Sequence, residues 1–260
     1  MPDKSNLLAP ARLALRCLDL TSLNDADTAA DVTRLCARAQ GPFGPVAAVC
    51  VWPRFAADAR RQLPAHIAVA AVANFPDGSA DTARAVRDTV EIVRAGAQEV
   101  DVVLPYARLM AGDEAAVTEL LHAVRAACTG LTLKVILETG VLQTEALIRR
   151  AAEISIEAGA DFLKTSTGKT PVSATLGAAQ TMLRAIAAHP GAASRVGFKA
   201  SGGIRTVEEA DTYFSLVSQI LGPQALTPVR LRIGASSLLG DIEAILGGAG
   251  AASPAAPDRY

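Results

Sequence analysis

The chain has 260 residues, of which 50% are hydrophobic and 20% are charged, and its formal net charge is −1. This length suits one large α/β domain or two small ones, and the apolar content excludes wholesale disorder. The balanced charge excludes a sequence-wide field that draws in nucleic acid or an anionic membrane, so a local site must hold any acidic ligand.

The cysteines and histidines are scattered singly, without a C-x-x-C pair or an H-E-x-x-H segment. This spacing indicates free thiols rather than a disulfide framework and disfavours a metal site. No apolar run approaches the ~20 residues of a membrane span, and residues 1–12 lack the apolar core of a secretory signal. We therefore expect a soluble cytoplasmic protein that binds neither nucleic acid nor membrane.

Short β-branched or apolar runs alternate along the chain with longer segments of helical period. Asn24, Ser79 and Thr206 precede three of the helical segments and are predicted to cap them. The predicted strands are 14–18, 47–51, 67–73, 99–103, 132–137, 161–164, 195–200 and 230–234. The predicted helices are 25–40, 79–95, 114–127, 144–158, 172–188 and 207–221.

Eight strands alternating with helices within ~250 residues predict a single-domain (β/α)8 TIM barrel. A doubly wound open sheet is the competing architecture, but the first predicted strand runs into Asp19-Leu20-Thr21 without the G-x-G-x-x-G of a dinucleotide site. The barrel is predicted to occupy residues 1–246. Residues 247–260, rich in Gly, Ala and Pro, are predicted to form a flexible tail that ends in Tyr260.

Lysine is scarce, since only five of the 25 basic residues are Lys, yet three lysines fall on predicted strands. In such a barrel the site lies at the carboxyl ends of the strands. Those ends are predicted to bring basic, acidic and hydroxyl side chains together at one mouth. The side chains expected at this mouth are Asp19, Thr21, Asp101, Lys134, Glu138, Lys164 and Lys199. An ion-pair network that merely plugs the barrel is the structural alternative.

Lys164 and Lys199 lie on neighbouring predicted strands and repel each other when both are protonated. Repulsion and desolvation lower the pKa of one of them, which leaves a free amine near neutral pH. Such an amine attacks an aldehyde or ketone to form an imine, at which a carbon–carbon bond can be made or broken. Asp101 is placed to shuttle the protons that this chemistry requires.

Glycine-rich segments after the last two strands predict a phosphate site, because barrels commonly bind phosphate there at a helix N-terminus. These segments contain Gly202-Gly203 and Gly234-Ala235-Ser236-Ser237, and Gly168-Lys169 adds a cationic contact. A nucleotide-binding loop through Gly168-Lys169-Thr170 is disfavoured, because that motif needs a glycine where Leu163 stands. Cys50 is interpreted as a small core residue facing the barrel, with a reactive thiol as the alternative.

These motifs resemble those of deoxyribose-phosphate aldolases, the class I family that works through a Schiff base. The resemblance covers almost the whole chain, including the terminal tyrosine. Its segments are LDLT at 18–21, NFP at 74–76, EVDVV at 99–103, KVILETG at 134–140, DFLKTSTG at 161–168, GFKASGG at 197–203 and GASS at 234–237.

The resemblance implies reversible cleavage of 2-deoxy-D-ribose 5-phosphate to D-glyceraldehyde 3-phosphate and acetaldehyde, without a cofactor or a metal, in deoxynucleoside catabolism. It implies that Lys164 forms the Schiff base, that Lys199 and Asp101 relay protons with Lys134 nearby, and that Tyr260 helps to protonate the enamine. The substrate contacts that it implies are Asp19, Thr21, Thr167, Gly168, Lys169, Gly202, Gly203, Gly234, Ser236 and Ser237. A homodimer or homotetramer is expected.

Two other functional classes remain open at this point. A Schiff-base aldolase of the transaldolase or fructose-bisphosphate type keeps the chemistry and changes the donor. A non-catalytic barrel that only binds a partner predicts that Lys164, Asp101 and Lys199 can be replaced without loss of function.

Overall fold

The computed structural model describes residues 4–248, and these form a closed barrel of eight parallel strands in the order β1 to β8. The strands are β1 Leu18–Thr21, β2 Ala48–Val51, β3 Ala68–Ala73, β4 Glu99–Val103, β5 Thr132–Ile136, β6 Phe162–Lys164, β7 Gly197–Ser201 and β8 Leu231–Ala235. The predicted TIM barrel is therefore confirmed.

Helices connect the strands and cover the outside of the barrel. They are α1 Leu8–Cys17, α2 Ala29–Arg38, α3 Pro53–Gln62, α4 Thr82–Arg94, α5 Tyr106–Met110, α6 Glu114–Ala127, α7 Thr139–Leu142, α8 Glu145–Glu157, α9 Leu176–Ala188, α10 Val207–Leu221 and α11 Leu238–Leu246. Short 3-10 helices span Lys4–Leu7 and Pro223–Ala225. None of the helices within residues 4–248 has the length and apolarity needed to cross a bilayer.

The prediction of a first strand at 14–18 was wrong. Residues 14–17 belong to α1, whose buried side chains include Ala11, Ala14 and Leu15. These positions are three and four residues apart, which is the spacing of one helix face. The strand begins only at Leu18, so the prediction mistook the last turn of a buried helix for an apolar strand.

Two of the three predicted caps lie too early in the chain. Thr28 rather than Asn24 caps α2, and Asp81 rather than Ser79 caps α4. Thr206 caps α10 as predicted, with a reciprocal contact between Thr206 and Glu209. Asn24 and Ser79 instead make hydrogen bonds within the preceding loops, which explains why polar residues stand there.

The core lies in two layers that the strands separate. Alternate strand residues point outward and pack with the helices into one large apolar cluster, which includes Val100, Val102, Leu133 and Leu163. The residues between them point into the barrel. The strand register places Asp101 opposite Lys134 and Lys164 opposite Lys199, which gathers these side chains inside the barrel.

Candidate active site

A single carboxylate connects three lysines inside the barrel. Asp101 Oδ1 accepts a hydrogen bond from Lys134 Nζ at 2.8 Å, and Oδ2 accepts from Lys164 Nζ at 2.9 Å and Lys199 Nζ at 2.8 Å. Burial opposes ionisation of Asp101, but the three lysines outweigh it and hold the pKa of the carboxyl well below its usual range. Asp101 is therefore an anion with a proton donor on each oxygen.

Lys164 and Lys199 have pKa values shifted in opposite directions, although they are register partners on β6 and β7. Burial lowers the pKa of Lys164, and the charge of Lys199 lowers it further against the opposing effect of Asp101. Burial also disfavours the charged form of Lys199, but Asp101 and Asp19 outweigh it and raise its pKa. Lys199 Nζ lies 2.5 Å from Asp19 Oδ2, a second carboxylate that Lys164 lacks. Lys164 is therefore the lysine suited to hold a free amine.

Deeper inside the barrel, the network of ion pairs continues through two residues that were not predicted from the sequence. Arg232 donates to Asp19 Oδ1 at 2.6 Å and to Glu99 Oε1 at 2.8 Å, and Lys134 Nζ lies 2.5 Å from Glu99 Oε2. Arg232 and Glu99 lie on β8 and β4, each two residues before a position that the sequence analysis had named. The signal available in the sequence was this two-residue spacing, which puts side chains on one face of a strand.

The loops after β6, β7 and β8 meet at the mouth of the barrel. Gly168, Gly202 and Gly203 have φ angles of 82°, 88° and 83°, a backbone region that residues other than glycine rarely adopt. A Cβ on Gly202 would lie 3.4 Å from Gly168 Cα, so the first two loops are in close contact. The Gly202 N–H points toward the carbonyl of Gly234 at 3.5 Å, which brings in the loop after β8.

Ser236 and Ser237 lie where β8 leads into α11. Ser237 occupies the N-cap position and is exposed, and its side chain makes no capping hydrogen bond within the helix. The first N–H groups of α11 therefore lack a side-chain partner at this end, which suits an anion. Lys169 contributes a side chain that is 17% exposed, with its Nζ 3.9 Å from Asp25 Oδ1.

Three predicted contact residues are engaged within the protein. Thr21 donates its hydroxyl proton to the carbonyl of Asp19 at 2.8 Å, and Thr167 donates to Glu138. A Cβ on Gly234 would lie 3.0 Å from Lys199 Cε, so this glycine makes room for the lysine. Gly234 thus acts on the site through packing, whereas the two threonines have already committed their hydroxyl protons.

One side of the interior is apolar. Cys50 is buried there, and burial raises the pKa of its thiol, which suits a core residue rather than a nucleophile. Ile136 of the same group is the register partner of Lys164, so this apolar surface borders the amine. The interior apolar cluster consists of Leu23, Cys50, Ala70, Val72, Phe75, Val103 and Ile136, with Trp52 and Tyr106 packed against it.

Two further expectations concern metals and the tail. Within residues 4–248, no three or more His, Cys, Asp and Glu side chains are grouped so that they could hold a metal ion. Tyr260 lies outside the described residues. All four cysteines lie within them, and each is a buried free thiol.

Comparison with known proteins places this chain in a family. Residues 13–238 match the model of the DeoC/LacD family of aldolases. A deoxyribose-phosphate aldolase of Agrobacterium fabrum is 49% identical over 241 residues, which are 92% of this chain and 92% of the relative.

Two solved structures agree with this assignment at the level of the fold. A Toxoplasma gondii ME49 chain superposes with a TM-score of 0.86 at 24% identity, over 95% of this chain and 97% of that one. The tetrameric deoxyribose phosphate aldolase of Aeropyrum pernix superposes with a TM-score of 0.67 at 25% identity, over 94% of this chain and 98% of that one. The family match spans the eight strands and all of the lysines of the cluster, so the chain belongs to the DeoC/LacD family of aldolases.

Proposed function

We propose that this aldolase reversibly cleaves 2-deoxy-D-ribose 5-phosphate to D-glyceraldehyde 3-phosphate and acetaldehyde through a Schiff base on Lys164. The observation that carries the proposal is the environment of Lys164. Its side chain is 2% exposed, and its amine lies 2.9 Å from Asp101 Oδ2 and has a lowered pKa. The 49% identical relative bears the name of this activity.

The charge balance of the cluster supports a neutral Lys164. Four basic side chains face three carboxylates in this ion-pair network, to which Glu138 does not belong, so protonation of all four leaves one positive charge without an ion-pair partner. Uncompensated buried charge is costly, and the group that gives up its proton is the one with the lowered pKa. The basic groups are Lys134, Lys164, Lys199 and Arg232, and the carboxylates are Asp19, Glu99 and Asp101.

In the cleavage direction, the amine of Lys164 attacks the C1 aldehyde of the open-chain sugar to form a carbinolamine. Loss of water from that adduct leaves a protonated imine. Removal of the proton from the C3 hydroxyl then breaks the C2–C3 bond, and its electron pair moves toward the imine nitrogen. Glyceraldehyde 3-phosphate leaves, and an enamine of two carbons stays on Lys164. Protonation of that enamine at C2 and hydrolysis release acetaldehyde and restore the amine.

Asp101 and Lys199 are the proposed carriers of these protons. Asp101 Oδ2 accepts from both Lys164 and Lys199, so a proton can pass between the two amines through one oxygen. Lys199 has a raised pKa and stays charged, which keeps a proton donor beside the carbinolamine. Lys134 holds the other oxygen of Asp101 and so orients the carboxylate.

The loops after β6, β7 and β8 are the proposed phosphate site. Their backbones approach one another at the mouth, and three glycines have the conformation that lets N–H groups converge on an anion. Together with the N-terminus of α11 they supply donors without long side chains. The proposed ligands are Gly168, Lys169, Gly202, Gly203, Ser236 and Ser237.

The apolar surface beside Lys164 favours a small donor. Ile136 and Cys50 belong to the interior apolar cluster, whose seven buried side chains carry no hydroxyl group to meet a hydroxylated ketone. Acetaldehyde presents only a methyl group to this surface. A donor of the transaldolase or fructose-bisphosphate type would bury its hydroxyls against hydrocarbon, which is unfavourable.

Further parts of the proposal concern regions outside the cluster. We propose that residues 247–260 form a tail separate from the barrel domain of residues 1–246, and that Tyr260 donates the proton to the enamine.

The Tyr260→Phe variant should keep imine formation and slow acetaldehyde release. Borohydride trapping measures imine formation, and steady-state turnover measures acetaldehyde release. Equal losses in both, or none in either, would contradict this role.

The proposal also covers the oligomeric state and the cellular compartment of the protein. We propose a homodimer or homotetramer, for which the Aeropyrum pernix relative is a tetrameric precedent. Light scattering of the purified chain tests this. The free buried thiols fit a reducing compartment such as the cytoplasm, where the reaction would break down the sugar of deoxynucleosides.

The decisive experiment measures acetaldehyde release from 2-deoxyribose 5-phosphate and traps the imine with borohydride. Acetaldehyde with borohydride should add a two-carbon group to Lys164, identified by peptide mass spectrometry. Trapping on Lys134 or Lys199 would contradict the assigned roles. Absence of acetaldehyde release would contradict the proposed substrate.

A further inference from the structure

Glu138 is a buried acid at the mouth that the reaction proposed above does not use. It follows β5 by two residues and has φ 55° and ψ 58°, a left-handed conformation that is uncommon outside glycine, asparagine and aspartate. Its side chain is fully buried. A buried carboxyl on an unfavourable backbone persists only where surrounding contacts hold it.

Those contacts come from the loop that follows the nucleophile. Glu138 Oε2 accepts hydrogen bonds from Thr167 Oγ1 at 2.5 Å and from the Thr167 N–H at 3.3 Å. Thr170 Oγ1 lies 3.1 Å from the other carboxylate oxygen, Oε1, and 3.0 Å from the carbonyl of Val172, either of which can accept its proton. The carboxylate thus bridges two points of the loop after β6.

The hydroxyl of Thr167 passes this restraint on to the next residues. It donates its single proton to Glu138 and accepts a hydrogen bond from the Lys169 N–H at 3.0 Å. Both contacts are within the protein, and together they fix the backbone on each side of Gly168. Gly168 itself has φ 82° and approaches Gly202. The position of the Gly168-Lys169 segment therefore depends on Glu138.

We propose that Glu138 is a positioning residue that holds residues 167–170 in the conformation that binds the phosphate of the substrate. In this arrangement Thr167 supports the loop, in place of the contact with a substrate hydroxyl that the resemblance implied. The inference rests on the proposed function, because it assigns residues 168 and 169 to the phosphate. Glu138 makes no hydrogen bond or ion pair with Lys164 in the described contacts, and those that it makes run to the loop. The charge of Lys164 lowers the pKa of Glu138, but burial outweighs this effect and raises that pKa.

The test separates phosphate binding from chemistry at Lys164. Exchange of the acetaldehyde methyl protons with deuterated water needs the amine and the proton carriers but no phosphorylated sugar. Glu138→Ala should raise the KM for 2-deoxyribose 5-phosphate about tenfold, the scale of one or two lost hydrogen bonds. The exchange rate with acetaldehyde alone should stay within about twofold of the wild type, because Asp101 and Lys199 are untouched.

Conservative variants distinguish the hydrogen bond from bulk packing. Glu138→Gln keeps one acceptor oxygen and should give a smaller rise in KM than Glu138→Ala. Thr167→Ser keeps the hydroxyl and should behave like the wild type, whereas Thr167→Val should reproduce the rise in KM. Glu119→Ala, at an exposed position on α6, is the matched control and should change neither readout.

Several outcomes would overturn the inference. Proportional losses of turnover and exchange in Glu138→Ala would assign Glu138 to the chemistry or to general stability. An unchanged KM in Thr167→Val would show that the loop does not need the contact, and this variant carries the test if Glu138→Ala fails to fold. A wild-type chain that releases no acetaldehyde from the phosphorylated sugar would contradict the proposed function instead.

Discussion

The layer between strands and helices and the interior of the barrel are buried to the same degree but are built from opposite chemistry. On β4, Val100 and Val102 are fully buried against the helices, while Asp101 between them is fully buried among lysines. On β5, Leu133 and Val135 face outward and Lys134 faces inward. Burial alone therefore does not distinguish the two layers, whereas the chemistry of the buried side chains does.

The two layers respond differently to substitution for a physical reason. In the outer layer, stability follows the apolar area buried and the volume filled, so similar hydrophobic residues replace one another at low cost. In the interior, each charge is stabilised by specific partners, and removal of one partner leaves another charge buried and unpaired. Substitutions in the two layers should therefore separate loss of activity from loss of stability.

Lys164→Met should abolish turnover and borohydride trapping, with a loss of several orders of magnitude, because no amine remains to form the imine. Its free energy of unfolding should stay within about 1.5 kcal/mol of the wild type, as for a volume-conserving change. The reason is that the proposed function makes Lys164 the neutral member of the cluster, in line with its lowered pKa. Chemical denaturation measures the free energy of unfolding, and activity and trapping assays measure the loss of chemistry. A large loss of stability would show that Lys164 is charged in the native protein.

Lys199→Met should lower turnover by at least ~100-fold, the usual scale for a proton-transfer group. It should also cost about 3–5 kcal/mol of stability, because Asp19 and Asp101 lose a charged partner. The contrast with Lys164→Met, a lysine exchanged for the same residue on the next strand, is the matched control. Equal stabilities of the two variants would contradict the assigned charge states.

The same substitution should move the pH dependence of imine trapping in a defined direction. Lys199 lowers the pKa of Lys164, so its removal raises that pKa and shrinks the fraction of free amine at neutral pH. The acidic limb of the trapping profile should therefore move to higher pH in Lys199→Met. The measurement is the trapping rate with acetaldehyde across pH.

Asp101→Asn should shift the profile the other way. Asp101 raises the pKa of Lys164, so loss of its charge lowers that pKa and moves the acidic limb to lower pH. Turnover should still fall by at least ~100-fold, because the carboxylate proposed to pass protons is lost. A shift in the same direction as Lys199→Met would mean that the two groups do not act on Lys164 through their charges.

Leu133→Ala should have the smallest effect on activity. Leu133 is fully buried in the outer layer, next to Lys134 along β5 but on the opposite face. The cavity should cost about 2–5 kcal/mol of stability. Turnover and trapping below the unfolding transition should stay within about twofold of the wild type, since the interior pairs are untouched. A selective loss of turnover would indicate that the layers are coupled.

Prediction from the sequence succeeded where local pattern determines structure. The alternation of Val100, Asp101 and Val102 indicated a buried strand, and Thr206 with Glu209 marked the start of a helix. It failed at residues 14–18, because a short apolar run suits a buried helix and a strand equally. It also passed over α3, whose Ala56 and Ala59 give only a weak apolar face.

The residues of the candidate site likewise divide into those predicted from the sequence and those that were missed. Asp101, Lys164 and Lys199 were predictable, because residues at strand ends converge in a barrel. Glu99 and Arg232 were missed: the two-residue spacing indicated the strand face of each, but no local pattern shows that residues 133 apart in the chain pair inside the barrel. The link from Glu138 to Thr167 was equally out of reach, because it depends on the left-handed backbone at Glu138.

The sequence by itself determined that eight strands alternate with helices and that lysine is scarce outside the motifs. These follow from periodicity and residue type, which are local properties. Only the tertiary structure decided which carboxylate each lysine meets. Lys199 reaches both Asp19 and Asp101 whereas Lys164 reaches Asp101 alone, and this difference sets their pKa values apart. It arises from the stagger of strands around a closed barrel, which brings together residues from β1, β4, β6 and β7 that no local pattern relates.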